Sequence, residues 1–328
     1  MWKNAMFAIL FLGLCGLGSV PWATAGALAP GLTFLPREEY NMPLEAKGKI
    51  ITGAGQGSME SFLQYTKQVD PCRYPGLYMD YASLMQLEKL EKRVKGWNTL
   101  KPGTIIQLGL SMTQDGKPEL HFEHKVAKGE MDVQLNELVR VLKGTKHPIL
   151  VRIGYEFNGK WNGYEPEPYR KAFRRVAERL RAGLGKQVAF AWCFSLDDNK
   201  NNDFMSYFPG DDVVDWWSVD VFGEDHYTHK ELKPFLEAAH QHRRPVLIGE
   251  STPRKVSVQL GEDSVRRWFK PYFTLLAENP GIKAFSYIYW DWSKTRWSTW
   301  GDGRFGENPA VKAYFNSQLQ NPIFAPVP

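Results

Sequence analysis

Eight short apolar runs separated by stretches of helical periodicity constrain this sequence more than any other feature. The runs are Lys49–Gly55, Gly76–Tyr81, Thr104–Ser111, Pro148–Glu156, Gln187–Ser195, Val213–Phe222, Arg244–Ser251 and Ile282–Trp290. Between most of them lies an apolar stripe at helical spacing. Leu84, Leu87, Leu90 and Val94 form one, and Leu135, Leu138, Val139 and Leu142 another. Phe173, Val176, Ala177 and Leu180 follow, then Leu232, Phe235, Leu236 and Ala239, then Val265, Trp268, Phe269 and Tyr272. Strands that alternate with helices and read as continuous apolar runs, rather than every second residue, are parallel strands covered on both faces. The pattern specifies an α/β protein, a (β/α)8 TIM barrel over residues 49–328. The fifth crossover, Asp197–Asp212, has little helical spacing and reads as a long loop. The competing architecture is a doubly wound open sheet, for which Gly53–Ser58 (GAGQGS) offers a superficial phosphate turn without the third glycine in place.

The first residues read as a targeting segment. Lys3 supplies a positive charge, residues 5–20 an apolar stretch and Ala23–Ala25 a small-residue cleavage site, so residues 1–25 form the expected signal peptide. Leu14 stands before Cys15 where a lipoprotein signal needs a small residue. A Pro-rich extended lead-in, residues 26–48, precedes the barrel. The expected location is secreted or periplasmic, with no membrane association after cleavage. The remaining cysteines, Cys72 and Cys193, are expected to be two separate buried thiols. Net charge is only +5, with no dense basic run, so nucleic acid is not an expected partner. The chain is expected to act as a monomer and without a cofactor. Aromatic residues make up 14%, enough for faces that stack on sugar rings as well as for a core.

In a barrel of this kind, chemistry gathers at the C-terminal strand ends. Glu156 ends the fourth run and Glu250 stands at the equivalent end of the seventh. Two carboxylates facing one cleft suit glycoside hydrolysis, in which one donates a proton to the leaving oxygen and the other attacks the sugar or activates water. Arg152 lies an even number of residues before Glu156, which points it to the same side. There it holds a carboxylate ionised or pairs with a buried acid such as Asp220. Asp220 is expected to hydrogen-bond sugar hydroxyls or the network around Glu250. Tyr155, Trp161, Trp192, Trp292 and His226 are further candidates for lining the cleft, as are Trp217, Trp297 and Trp300. The polar, glycine-containing segment Tyr289–Phe305 suggests a polymer cleft. The histidine pairs His121/His124 and His226/His229 show no third ligand in sequence, and no G-x-S-x-G elbow occurs, so zinc-hydrolase and serine-hydrolase readings find no support.

The segments RIGYEFNGKWNGY, YFPGDDVVDWWSVDVF, VLIGES and IKAFSYIYWDWS resemble the fourth-, sixth-, seventh- and eighth-strand segments of glycoside hydrolase family 26. The resemblance runs from about Gly48 to the C-terminus. It implies a retaining enzyme acting on a β-linked polysaccharide or oligosaccharide (β-1,3-xylan, β-mannan or a related β-glycan), with Glu156 as acid/base and Glu250 as nucleophile. It also implies that Trp290 stacks the sugar being cleaved. The family's mannanases carry a histidine where this chain has Tyr155, and a tyrosine where it has Phe222. In form the segment is nearer the β-1,3-xylanase branch. A reading from another class is a non-catalytic carbohydrate-binding barrel serving exopolysaccharide assembly.

Overall fold

The computed structural model describes residues 32–56, 58–114, 117–197 and 203–325. The expected signal peptide lies outside them. Eight parallel strands are present: β1 (Ile50–Ala54), β2 (Leu77–Ser83), β3 (Ile105–Ser111), β4 (Ile149–Ile153), β5 (Val188–Ser195), β6 (Trp216–Val221), β7 (Val246–Ser251) and β8 (Ile282–Tyr287). Each pairs with the next, and β1 pairs with both β8 and β2, which closes the barrel. The open-sheet alternative is thereby removed. The helices are α1 (Met59–Thr66), α2 (Glu88–Trp97), α3 (Phe122–Lys128), α4 (Asp132–Leu142), α5 (Pro166–Leu184), α6 (Leu232–Gln241), α7 (Glu262–Ser264), α8 (Lys270–Glu278) and α9 (Pro309–Leu319). A π-helical turn, Val265–Phe269, joins α7 to α8, and a short ninth strand, β9 (Phe324–Ala325), adds to β1. The fifth crossover holds a 3-10 turn, Phe204–Tyr207, and no α-helix among its described residues. No helix among the described residues is long and apolar enough to cross a membrane.

The period-2 alternation of each strand sorts its side chains into two shells. Outward residues such as Val151, Phe190, Trp192, Val219 and Ile248 pack against helix residues such as Phe173, Val176 and Phe235 in one continuous cluster. Inward residues at the strand starts, Ile51, Leu77, Ile105, Leu150, Ala189, Trp216, Leu247 and Ala284, form a separate plug. The lead-in closes this end. Leu44 and Ala46 pack on the plug, and Trp216 Nε1 donates to the Pro43 carbonyl at 2.8 Å. Lys283, buried at the start of β8, reaches Glu45 Oε1 at 3.0 Å and the Glu38 carbonyl at 2.6 Å. A buried ammonium is tolerable only with such partners. With the N-terminal end stoppered, the opposite end of the barrel is left for the site.

Two strand ends differ from expectation. β4 stops at Ile153, because Gly154 takes a left-handed φ of 54°. Glu156, itself at φ 51°, sits on the following turn rather than on the strand. β8 stops at Tyr287, so Trp290 lies past the strand. Cys72 is exposed, contrary to the expected buried thiol, because its short 3-10 turn at Pro71–Arg73 lies on the surface; Cys193 is buried in β5.

Candidate active site

β7 carries the feature that aims the site. Alternation points Leu247 inward and Ile248 outward, so Gly249 faces inward and Glu250 ought to face the helices. The register forbids it. Ile248 pairs with Val219 and Phe285, while Ser251 pairs with Val221 and Tyr287. Gly249 and Glu250 together therefore oppose the single residues Asp220 and Ser286, which is a β-bulge. The extra residue turns Glu250 into the barrel. Gly249 permits the close approach this requires, since a β-carbon there would lie 2.5 Å from Ser218 Oγ and 2.7 Å from Arg152 Nε.

Arg152, fully buried on β4, organises the acids. Its Nη1 donates to Glu250 Oε1 at 2.8 Å, and its Nη2 to Asp220 Oδ2 at 2.5 Å and to Cys193 Sγ at 2.9 Å. Arg152 thus pairs with the buried acid Asp220 and contacts Glu250 as well. Its guanidinium carbon lies 5.2 Å from the Tyr155 ring centre. Below it, Gln107 donates to the Gly249 carbonyl at 2.7 Å and accepts from Ser286 Oγ at 2.6 Å, which fixes the bulged strand from inside.

Glu156 is held by the polar cluster that follows it. Asn158 donates to the Ser195 carbonyl and accepts from the Ser195 N–H, both at 2.9 Å, so its side chain continues the ladder where β4 has ended. Asn162 donates to the carbonyls of Tyr155 and Glu156 at 2.9 and 3.0 Å. Trp161 folds back over Gly159, where a β-carbon would lie 2.4 Å from its ring, and its Nε1 donates to Glu156 Oε2 at 2.9 Å. Burial first, and then the charges of Asp220 and Glu250, push the Glu156 carboxyl well above the ordinary range against the pull of Arg152. Burial also pushes the Asp220 carboxyl up to about 8, opposed by Arg152 and aided by Glu250. The guanidinium bonds Asp220 and Glu250, whereas the side chain bonded to Glu156 is Trp161.

The rim divides into two sides. Phe222, Ile288, Trp292 and Met79 form an apolar patch, with Tyr81, Trp290 and Trp300 packed against it. At the ends of β2 and β3 a cavity of about 550 Å³ is lined by Tyr81, Ser83, Lys89, Arg93, Thr113 and Tyr155. Arg152, Tyr155, Glu156, Trp161, Asp220 and Glu250 therefore converge on one mouth, and Trp290 and Trp292 stand on its rim.

Other candidates fall elsewhere. Trp192, read as a sugar platform, is fully buried on the outward face of β5, stacked 4.5 Å from Phe157 and packed on Phe235 of α6. Alternation sends it away from the cleft that its inward neighbours Ala191 and Cys193 face. Trp217 is buried in the same layer. Asp220 is wholly buried, so it serves the Arg152 network rather than sugar hydroxyls. His226 is buried rather than lining the cleft. Its Nδ1 accepts from the Phe222 N–H at 3.1 Å and its Nε2 lies 3.2 Å from Asp197 Oδ1. Arg254 meets the same oxygen at 2.6 Å and lies 5.2 Å from the Trp300 ring centre, so this cluster ties the loops after β5, β6, β7 and β8 together. Sequence reasoning missed Gln107, Asn158, Asn162, Asp197 and Arg254. The asparagines carried a signal in the dense NGKWNGY stretch.

Comparison with known proteins now bears on this geometry. Residues 115–253 match the family model described as glycosyl hydrolase family 26. The chain is 29% identical over 252 residues to a β-1,3-xylanase of Alcaligenes sp., covering 69% of this chain and 52% of that protein. It is 27% identical over 250 residues to the β-1,3-xylanase TXYA of Vibrio sp., covering 68% and 53% respectively. The chain thus spans about half the length of the curated relatives it matches. Among solved structures, GH26C of Muricauda sp. superposes with a TM-score of 0.61 at 14% identity, covering 85% of this chain and 87% of that one. A GH26 β-mannanase of Bacteroides ovatus gives 0.56 at 16%, covering 85% and 90%. At those identities the likeness speaks for the fold.

Proposed function

We propose that the chain, whose residues 115–253 match glycosyl hydrolase family 26, is a member of that family and hydrolyses a β-linked polysaccharide with retention of configuration, with β-1,3-xylan the first substrate to test. The observation that carries this reading is the division of labour around Arg152. Glu250 is gripped by the guanidinium, while Glu156 in the same mouth is bonded by Trp161 instead and raised by burial and then by Asp220 and Glu250. Glu250 attacks the anomeric carbon as the glycosidic C–O bond breaks, and the proton of Glu156 passes to the departing oxygen. In the second half, ionised Glu156 takes a proton from water, whose oxygen displaces Glu250 and frees the sugar. Tyr155 and Phe222, at positions where the family's mannanases carry histidine and tyrosine, support the xylanase side, as do the relatives' names. Trp290 serves as the platform for the sugar being cleaved. Export follows from the order of charge, apolar stretch and small-residue site in residues 1–25; an intact-mass measurement of exported protein should place the N-terminus at Gly26.

The roles are tested with an activated aryl glycoside. Glu250→Ala should abolish turnover. Glu156→Ala should still form the glycosyl-enzyme, and azide should restore turnover with a β-glycosyl azide as product. Rescue of Glu250→Ala to a β-azide, with Glu156→Ala giving the α-azide, would reverse the roles; unchanged hydrolysis in both variants would exclude this pair, and a wild type that neither hydrolyses nor forms a glycosyl-enzyme would be a carbohydrate-binding barrel.

A further inference from the structure

The loops that follow β3 and β4 meet through a cluster of nitrogen and oxygen donors. His121 enters α3 and His124 lies in its first turn; Glu165 immediately precedes α5. His124 Nε2 is 3.1 Å from Glu165 Oε2 and 3.7 Å from Glu123 Oε1, and His121 Nδ1 is 3.3 Å from the same Glu123 oxygen. One donor atom from each of His121, His124 and Glu165 lies within 4.8 Å of the others. The third donor that the histidine pair lacks in sequence arrives 41 residues after His124. It does so because the loop before α5 packs against the loop before α3. A β-carbon on Gly163 would lie 2.7 Å from Pro118 Cβ, and the Met112 N–H donates to the Tyr164 hydroxyl at 2.9 Å.

We propose that His121, His124 and Glu165 form a site for a zinc-type divalent transition-metal ion. Ligands about 2.0–2.2 Å from a tetrahedral ion stand roughly 3.3–3.5 Å apart, close to the spacing already present between His124 and Glu165. Two imidazoles and one carboxylate leave a fourth position for water and favour zinc, cobalt or nickel over calcium or magnesium, which prefer all-oxygen sets. Glu123 completes the argument. It is 1% exposed, its Oε1 touches both histidines and accepts from the Glu165 N–H at 3.2 Å, and its Oε2 is buried with no hydrogen-bond partner among the described residues. A buried carboxylate oxygen left without a donor is costly. A cation on the adjoining imidazoles supplies the missing positive field, and Glu123 Oε1 holds the His121 ring through Nδ1. The Glu165 side chain caps no helix N–H and is available to the ion. The bound ion would staple the Pro118–His124 segment to the loop that carries Glu156 and Trp161. The site does not depend on the glycosidase reading.

The test uses tag-free full-length chain stripped with chelator, then titrated with Zn2+ by calorimetry and with Co2+ by visible absorption. One ion per chain is expected, with the intense d–d band of four-coordinate cobalt, and with no displacement by excess Ca2+ or Mg2+. Glu123→Gln should weaken Zn2+ binding by ~10–100-fold, and His121→Ala, His124→Ala and Glu165→Gln each by at least that factor. Zn2+ should raise the Tm of the wild type but not of His124→Ala, while the metal-stripped Tm of both stays equal. Should His124→Ala lose its metal-free fold, the more exposed Glu165→Gln carries the same comparison. Binding of well under one ion per chain, displacement by Ca2+, or Zn2+ binding that survives the histidine substitutions overturns the site.

Discussion

Trp161→Phe isolates the hydrogen bond that the indole donates to Glu156 Oε2 at 2.9 Å while keeping an aromatic ring in place. A bond to a charged group contributes about 1.5–3 kcal/mol, and one to a neutral partner about 1 kcal/mol. Trp161 is 37% exposed, so water screens and replaces part of the contact and the lower end applies. The difference between the two protonation states of Glu156 is then ~0.5–1 kcal/mol, or about 0.4–0.7 pKa unit. The sign follows from the donor. An N–H favours the ionised carboxylate, so Trp161 opposes the upward push from burial and from Asp220 and Glu250. Its removal lets Glu156 rise further. The alkaline limb of the kcat/KM–pH profile, where the general acid loses its proton, should move up by about half a unit. The measurement is that profile on an aryl β-glycoside, wild type against variant. A limb that moves down refutes the electrostatic argument. A limb that stays put while KM rises uniformly shows that Trp161 only binds sugar.

Glu156→Gln should gain stability over the wild type as pH rises. A carboxyl raised in the fold stabilises while protonated, below its unfolded-state pKa, and that contribution is lost as pH climbs through the folded value; a Tm difference independent of pH would contradict this. Lys283→Met removes the buried countercharge of Glu45, which keeps only the Tyr40 and Met42 N–H donors among the described residues, and should cost ~3–5 kcal/mol in urea unfolding; a loss below ~1 kcal/mol would mean that the lead-in does not close the barrel. Asn158→Ala orphans both backbone groups of Ser195 and should cost ~1–3 kcal/mol, with kcat falling more than KM rises because the Glu156 turn loosens. Equal kcat in that variant would confine Asn158 to a structural role.

The sequence by itself determined the barrel and the position of its two acids along the chain. Strand and helix periodicities are local properties, written in consecutive residues such as Ile149–Ile153 and the Phe173–Leu180 stripe, and each calls for burial on particular faces. Glu156 and Glu250 were legible because a carboxylate at the end of an apolar run has no core role. Direction was another matter. Only the pairing of β7 with both neighbours produced the bulge that turns Glu250 inward, since alternation along β7 alone aims it at the helices. Trp192 and Cys193 are adjacent in sequence, yet one joins the helix layer and the other touches Arg152. The Arg152–Asp220–Glu250 network and the His121–His124–Glu165 cluster join residues far apart along the chain. Such contacts leave no periodic trace. They arise from barrel closure and loop packing, and the charges that add to burial in raising the Glu156 carboxyl come from two strands other than its own.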